Sequence, residues 1–145
     1  MKKYLVIVEC AIEHNHKFLI IKRPIGSHGE GTLAFPGGKV EEQDEKNTTD
    51  ALIHALKREV QEEVGLILND PLHYVTSCYF FVEKTQMPVI DVIFHCRLKN
   101  TLVDVKASQR EVPEFYWMSK EDIEKHENTP PWLKKYMYAI STMRT

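Results

Sequence analysis

The feature that most narrows the fold is the stretch from Asp50 to Val64, where two patterns of opposite character share one helical period. At about 100° per residue, Leu52, Ala55, Leu56, Val60 and Val64 fall on one side, and such a stripe has to be buried against a sheet or another helix. Glu59 and Glu63 stack four residues apart on another side, with Glu62 adjacent to both. Like charges at that spacing oppose a helix by roughly a few tenths of a kcal/mol per pair. Three clustered carboxylates therefore make most sense beneath a cation, and hard oxygen donors suit Mg²⁺ or Mn²⁺. Burying the apolar stripe turns the acids outward, to the edge of a pocket.

Just upstream, Thr32 to Phe35 reads as a strand that runs into a Pro36-Gly37-Gly38 turn. Backbone without side-chain cover there can approach a ligand or offer a carbonyl to a metal. Gly65 stands where a helix C-cap is expected. Two other readings of this region fail on spacing. Gly38-Lys39 is followed by Val40 rather than the Ser or Thr of a phosphate loop, and no Gly is correctly placed before it. The acids from Glu41 to Glu45 lack the alternation and the central Gly of a calcium loop.

Arg58-Glu59-Val60-Gln61-Glu62-Glu63-Val64-Gly65-Leu66 resembles the second half of the Nudix box of the MutT-like hydrolases: Arg, Glu, apolar, any, Glu, Glu, any, Gly, apolar. The first half departs from the pattern, because Gly38 and Arg58 lie six residues further apart than the family spacing. The extra length is assigned to the polar run Glu42 to Thr49, as a longer loop before the helix, and loops accept such insertions at little entropic cost. This alignment sets Asp50, eight residues before Arg58, in the place of the remaining box Glu. Asp50 also reads as a capping acid three residues after Asn47, and both readings stand.

The resemblance implies a Nudix α/β/α sandwich, a mixed sheet flanked by helices, with residues 1–145 as one hydrolase domain. It implies Mg²⁺- or Mn²⁺-dependent hydrolysis of a phosphoanhydride in a nucleoside diphosphate linked to another moiety: a small-molecule nucleotide substrate such as a nucleoside triphosphate or a nucleotide sugar. The implied metal ligands are Glu59, Glu62, Glu63 and the Gly37 carbonyl. Glu111 joins them by its match to a second signature, an acid six residues before a Trp, here Trp117, that leads into a helix. Glu59 or Glu62, with Glu111 in reserve, is the implied base, and Arg58 orients the acids. Arg23, Gly38 and Lys39 are candidate substrate contacts, and His28 is either one more or an exposed loop residue. The run Leu33 to Lys39 also resembles members that act on coenzyme A. A different class of function, a Nudix-fold module that binds or senses a nucleotide without cleaving it, would follow if the insertion had disabled the box. Homodimers are frequent in the family.

Composition limits the partners. With 43% hydrophobic and 28% charged residues in 145, the chain can bury a proper core. A net charge of −2 gives no electrostatic case for long nucleic acid or an anionic membrane. No run approaches the roughly 18 apolar residues of a membrane helix, and Met1 to Tyr4 opens into a strand rather than a signal peptide, so a cytoplasmic location is expected. Cys10, Cys78 and Cys96 read as reduced core thiols, with no CxxC among them.

The remaining elements follow from alternation and turn chemistry. Tyr4 to Ile12 and Lys17 to Lys22 form a hairpin about His14-Asn15-His16, whose histidines read as connectors rather than ligands. Leu72 to Glu83 and Val89 to Leu98 form a second pair; core packing accounts for most of Tyr79, Phe80 and Phe81, leaving one to stack on a base. Thr101 to Arg110 is a loop, and Ser119 to Asp122 caps a short helix. A last helix starts at Pro131 with Trp132, Leu133, Tyr136, Met137 and Ile140 packed on the sheet.

Overall fold

The computed structural model describes every residue except His28, Glu111, Pro113, Arg144 and Thr145. Its layers are set by the strand Leu5–His14 (β1), whose side chains alternate between two sides of a sheet. Val8, Cys10 and Ile12 enter one apolar cluster, whereas Ala11 enters the other. Asn15 and His16 both take positive φ, 51° and 62°, the two-residue turn whose twist suits a hairpin. Lys17–Lys22 (β2) returns antiparallel to β1.

The other strands are Leu33–Ala34 (β3), Gly37–Lys39 (β4), Leu72–Val82 (β5), Met87–Arg97 (β6) and Phe115–Met118 (β7). The main path runs β3-β2-β1-β6-β5, with β4 on β1 and β7 on β2. The pair β1 and β6 is parallel and the rest are antiparallel. Three stretches differ from the sequence reading, each through long-range pairing. The strand expected from Thr32 to Phe35 shrinks to Leu33–Ala34. Gly37 and Gly38, expected in a turn with Pro36, belong with Lys39 to a strand lying along β1, flanked by bonds from Cys10 N to Pro36 O and from Val40 N to Val6 O, both 2.9 Å. The segment around Trp117, given no strand by the sequence reading, pairs Phe115–Met118 with β2. In each case the partner strand is distant in sequence, so the pairing is something that local propensity does not register.

The helix Ala51–Val64 (α1) buries Ala55, Leu56, Val60 and Val64 against the Val8 side of the sheet and ends on Gly65 at φ 69°. Truncating Leu56, which is fully buried, to Ala costs about 2–5 kcal/mol. On the opposite face sit Lys120–Lys125 (α2), capped by Ser119 Oγ accepting from Asp122 N, and Pro131–Ser141 (α3). They bury Ile123, Leu133, Tyr136 and Met137 with Ala11 and Ile93. The result is a mixed sheet with helices on both faces. Trp132 departs from the expected stripe and stays 43% exposed, and Tyr79 and Phe81 are exposed on the edge strand β5 rather than in the core. Cys10 and Cys96 are buried as expected, Cys78 only half so, and all three are free thiols. Among the described residues no helix is long and apolar enough to cross a membrane.

Candidate functional site

Burial of the α1 stripe turns Arg58 toward β4 and toward a single 3-10 turn, Glu42–Glu45. Its guanidinium is saturated. Nε donates to Asp44 Oδ1 and Nη2 to Asp44 Oδ2, both at 2.9 Å, and Nη2 also donates to the Lys39 carbonyl at 2.9 Å. Nη1 donates to Glu59 Oε1 at 2.8 Å and to Glu62 Oε2 at 3.2 Å. Asp44 is only 3% exposed, and its Oδ2 also accepts from Glu41 N at 2.8 Å. The Arg58 hydrogen bonds hold the Asp44 carboxyl below its ordinary value against the opposing effect of burial, and Asp44 in turn raises the Arg58 guanidinium. Planar bidentate pairing of this kind fixes orientation as well as charge.

Asp44, not Asp50, is therefore the acid that ties the turn to the helix. Asp50 precedes α1 without capping it: its side chain makes no cap hydrogen bond, and its N–H donates to Thr48 Oγ1 at 2.9 Å. Asn47, with φ 56°, is no N-cap either. The sequence signal was available, since five residues separate Gly38 from Asp44, as in the family pattern; aligning the acid backward from Arg58 placed the insertion on its wrong side.

Glu63 reaches the other end of the turn, where its Oε1 accepts from Gly37 N at 2.8 Å. The two glycines are required by close approach. A Cβ on Gly37 would collide with the Val8 carbonyl and Glu9 Cα, and one on Gly38 with the Glu59 carboxylate. Arg58, Glu59, Glu62, Glu63, Gly37 and Gly38 are thus brought together, with Glu59 half-buried at 13% and Glu62 at 51% exposure. Glu111, also assigned to the metal, lies outside the described residues, as does His28. Among the described residues no three side chains of His, Cys, Asp or Glu converge in a ready-made metal cage; Arg58 and the Gly37 N–H hold the carboxylates. The donor set nevertheless fits a hard divalent cation, because it is all oxygen and sits beside bare glycine backbone.

Beside β4 opens a cleft of about 820 Å³. Lys39 belongs to both regions, since it lines the cleft while its carbonyl holds Arg58. Arg23 lines the same cleft, with Phe80, Trp132 and Lys135. Two acids, Glu9 and Asp91, lie in its lining, and neither was singled out from the sequence. Asp91 is 3% exposed; its Oδ2 accepts from Tyr136 Oη at 2.9 Å, and that hydroxyl also lies 2.9 Å from Cys78 Sγ. Burial first, then a hydrogen bond with Asp91, push the Glu9 carboxyl well above its ordinary value, while Arg23 pulls it down. Tyr136 is likewise raised by burial and by Asp91. The available signal was one acid interrupting each of two apolar strands, VIVECAI and PVIDVIF.

A NUDIX domain model matches residues 3–140. The 8-oxo-dGTP diphosphatase of Proteus vulgaris is 31% identical over 101 residues, which cover 62% of this chain and 84% of that protein. Among solved structures, the MutT protein from Methanosarcina mazei Go1 is 27% identical with a TM-score of 0.77, covering 97% of this chain and 94% of that one. The solution structure of the E. coli ORF135 protein is 25% identical with a TM-score of 0.74, covering 99% and 93%. A family match that spans all but the ends of the chain, on the fold that these structures share, settles its membership: the chain belongs to the Nudix family of MutT-like hydrolases.

Proposed function

We propose that the protein hydrolyses nucleoside triphosphates to a nucleoside monophosphate and pyrophosphate, with Mg²⁺ or Mn²⁺ as cofactor. The observation that carries this reading is that Arg58 bonds Asp44, Glu59 and Glu62 at once, so the box is tied together across its insertion. Glu59, Glu62, Glu63 and the Gly37 carbonyl would hold the metal, which when bound neutralises phosphate charge and acidifies water. Arg58 keeps the carboxylates of Glu59 and Glu62 oriented, and one of these two takes the proton of the attacking water. Lys39 and Arg23, lining the neighbouring cleft, attract the phosphates into line with the box.

Similarity to the 8-oxo-dGTP diphosphatase of Proteus vulgaris favours a triphosphate over a nucleotide sugar. The insertion was the motive for a module that binds without cleaving; a loop that leaves Arg58 in contact with all three acids supports the enzyme instead. The test is a panel of nucleoside triphosphates, with and without an oxidised base, beside nucleotide sugars, incubated with Mg²⁺. Pyrophosphate released from triphosphates is the expected result. Binding without any release, or release from nucleotide sugars alone, overturns the reading.

A further inference from the structure

The two ends of the sheet are finished differently. At one end of the main path β3 is two residues long. At the other, β5 runs for eleven residues with β6 on one side and, among the described residues, no strand on the other. A long open edge presents a row of N–H and C=O groups to any strand that meets it, and proteins usually blunt one with Lys, Pro or a very short strand. The β3 edge follows that rule. The β5 edge does not, because LHYVTSCYFFV contains no Asp, Glu, Lys, Arg or Pro. Its one irregularity is a bulge between Tyr74 and Thr76, which leaves Thr76 to Val82 as an unbroken stretch of regular strand.

The side chains on this strand are open as well. Ser77, Tyr79 and Phe81 stand opposite Val92, Ile90 and Pro88 of β6, on the face where α1 packs. There α1 lies over β1 and β4, and Tyr79, Phe81, Tyr74 and, from the chain before β1, Tyr4 are each 45–58% exposed. The Tyr4 and Tyr79 rings meet edge to face at 6.4 Å, so the patch is continuous. Four half-exposed rings of about 200 Å² each give it about 400 Å², which is half of the roughly 800 Å² that one partner brings to an ordinary interface. We propose that the β5 edge is an interface between two copies of this chain, paired antiparallel about a two-fold axis at Tyr79. The stretch is its own complement. About that axis Thr76 to Val82 pairs with itself along its whole length, the bulge falls just beyond the ladder, and no charge is set against a like charge. Tyr79 meets Tyr79 of the second copy, and the small Ser77 leaves room for Phe81 of the second copy. The contact consumes both long edges and stops at two, since β3 is too short to extend the sheet. On the other face of the same stretch Thr76, Cys78, Phe80 and Val82 line the cleft, so each copy braces a wall of the other's cleft.

Sedimentation velocity on the unaltered protein from about 1 to about 100 μM, a range that spans ordinary reversible association, should show a species of twice the 16.9 kDa chain mass. Residue 79 faces its own copy only in this register, so charge placed there tests the register itself. Tyr79→Asp and Tyr79→Lys each set like charges directly opposite and should raise the dissociation constant by about tenfold or more. An equimolar mixture of the two variants should recover the dimer, because opposite charges then meet across the axis. Circular dichroism checks that both variants fold, and amide exchange on the unaltered protein needs no variant: exchange from Thr76 to Val82 should slow as the protein is concentrated. A chain that stays monomeric over the whole range overturns the proposal and leaves the edge to a different protein. A dimer that survives both substitutions overturns it too, since the copies then meet elsewhere, as does a mixture that stays monomeric or an exchange rate in β5 that ignores concentration.

Discussion

Arg58 and Asp44 meet side-on through two hydrogen bonds of 2.9 Å each, fourteen residues apart in the chain and on opposite sides of the insertion. The pair joins the turn after β4 to α1, and it lies almost entirely out of water, with Asp44 3% and Arg58 16% exposed.

Removing the negative partner is therefore expected to cost more than a surface ion pair. Asp44→Asn leaves a guanidinium with fewer charged acceptors in a largely buried place, and about 2–3 kcal/mol of stability should go with it. The loss stays at the low end because Lys39 O and Glu59 still accept from Arg58. Denaturant unfolding measures it; a change below about 0.5 kcal/mol, the range of ordinary surface substitutions, would contradict the structural role given to Asp44.

The same pair predicts a pH dependence. The folded value of the Asp44 carboxyl is depressed, chiefly by the Arg58 hydrogen bonds, from an ordinary 3.8. A depressed carboxyl contributes stability that is present above its unfolded value and is lost as pH falls through the folded one. Asp44's contribution should hold steady above about pH 5 and decline below about pH 4. Melting temperatures of wild type and Asp44→Asn should converge as the pH falls through that range. Parallel curves down to the lowest pH would show that the linkage lies elsewhere.

Glu63→Gln separates fold from chemistry. A Gln Oε1 can still accept the Gly37 N–H that Glu63 Oε1 holds at 2.8 Å, so stability should stay within about 1 kcal/mol of wild type. If Glu63 holds the metal as proposed, Mg²⁺-dependent turnover should fall by about 100-fold or more, since a neutral amide is a far weaker ligand than a carboxylate. Full activity in this variant would take Glu63 out of the site.

The two glycines should fail in different ways. A Cβ at Gly37 meets the backbone of Val8 and Glu9, which cannot move without parting β4 from β1, whereas one at Gly38 meets only the Glu59 side chain. Gly37→Ala should lose about 3 kcal/mol or more of stability. Gly38→Ala should lose about 1 kcal/mol while its turnover drops further, as Glu59 swings away. Thermal melts and initial rates on both proteins check this; equal destabilisation would refute the contrast.

Periodicity made some of this legible. The apolar stripe of α1 and the His14-Asn15-His16 turn are local signals, and both elements stand where those signals put them. The short strand Gly37–Lys39 was not legible, because Gly-Gly carries no strand propensity and the pairing comes from β1, about thirty residues away. Asp44 was hidden by an alignment anchored at the wrong end of the insertion. Glu9 and Asp91 were hidden because one acid in an apolar run does not say which way it faces; only the parallel pairing of β1 with β6 puts both acids in one cleft. Trp132 and Phe81 show the reverse error, since an aromatic residue at core spacing serves equally well as the wall of an opening.

Because the guanidinium clasp spans the loop from Glu45 to Asp50, the peptide there carries no positional information. Lys46, Asn47 and Thr49 are exposed, and the geometry of the acids is set by side chains on either bank rather than by the length of chain between them. The segment is a natural splice point: a peptide tag could be inserted, or a protease could nick the backbone, and the two banks would remain fastened.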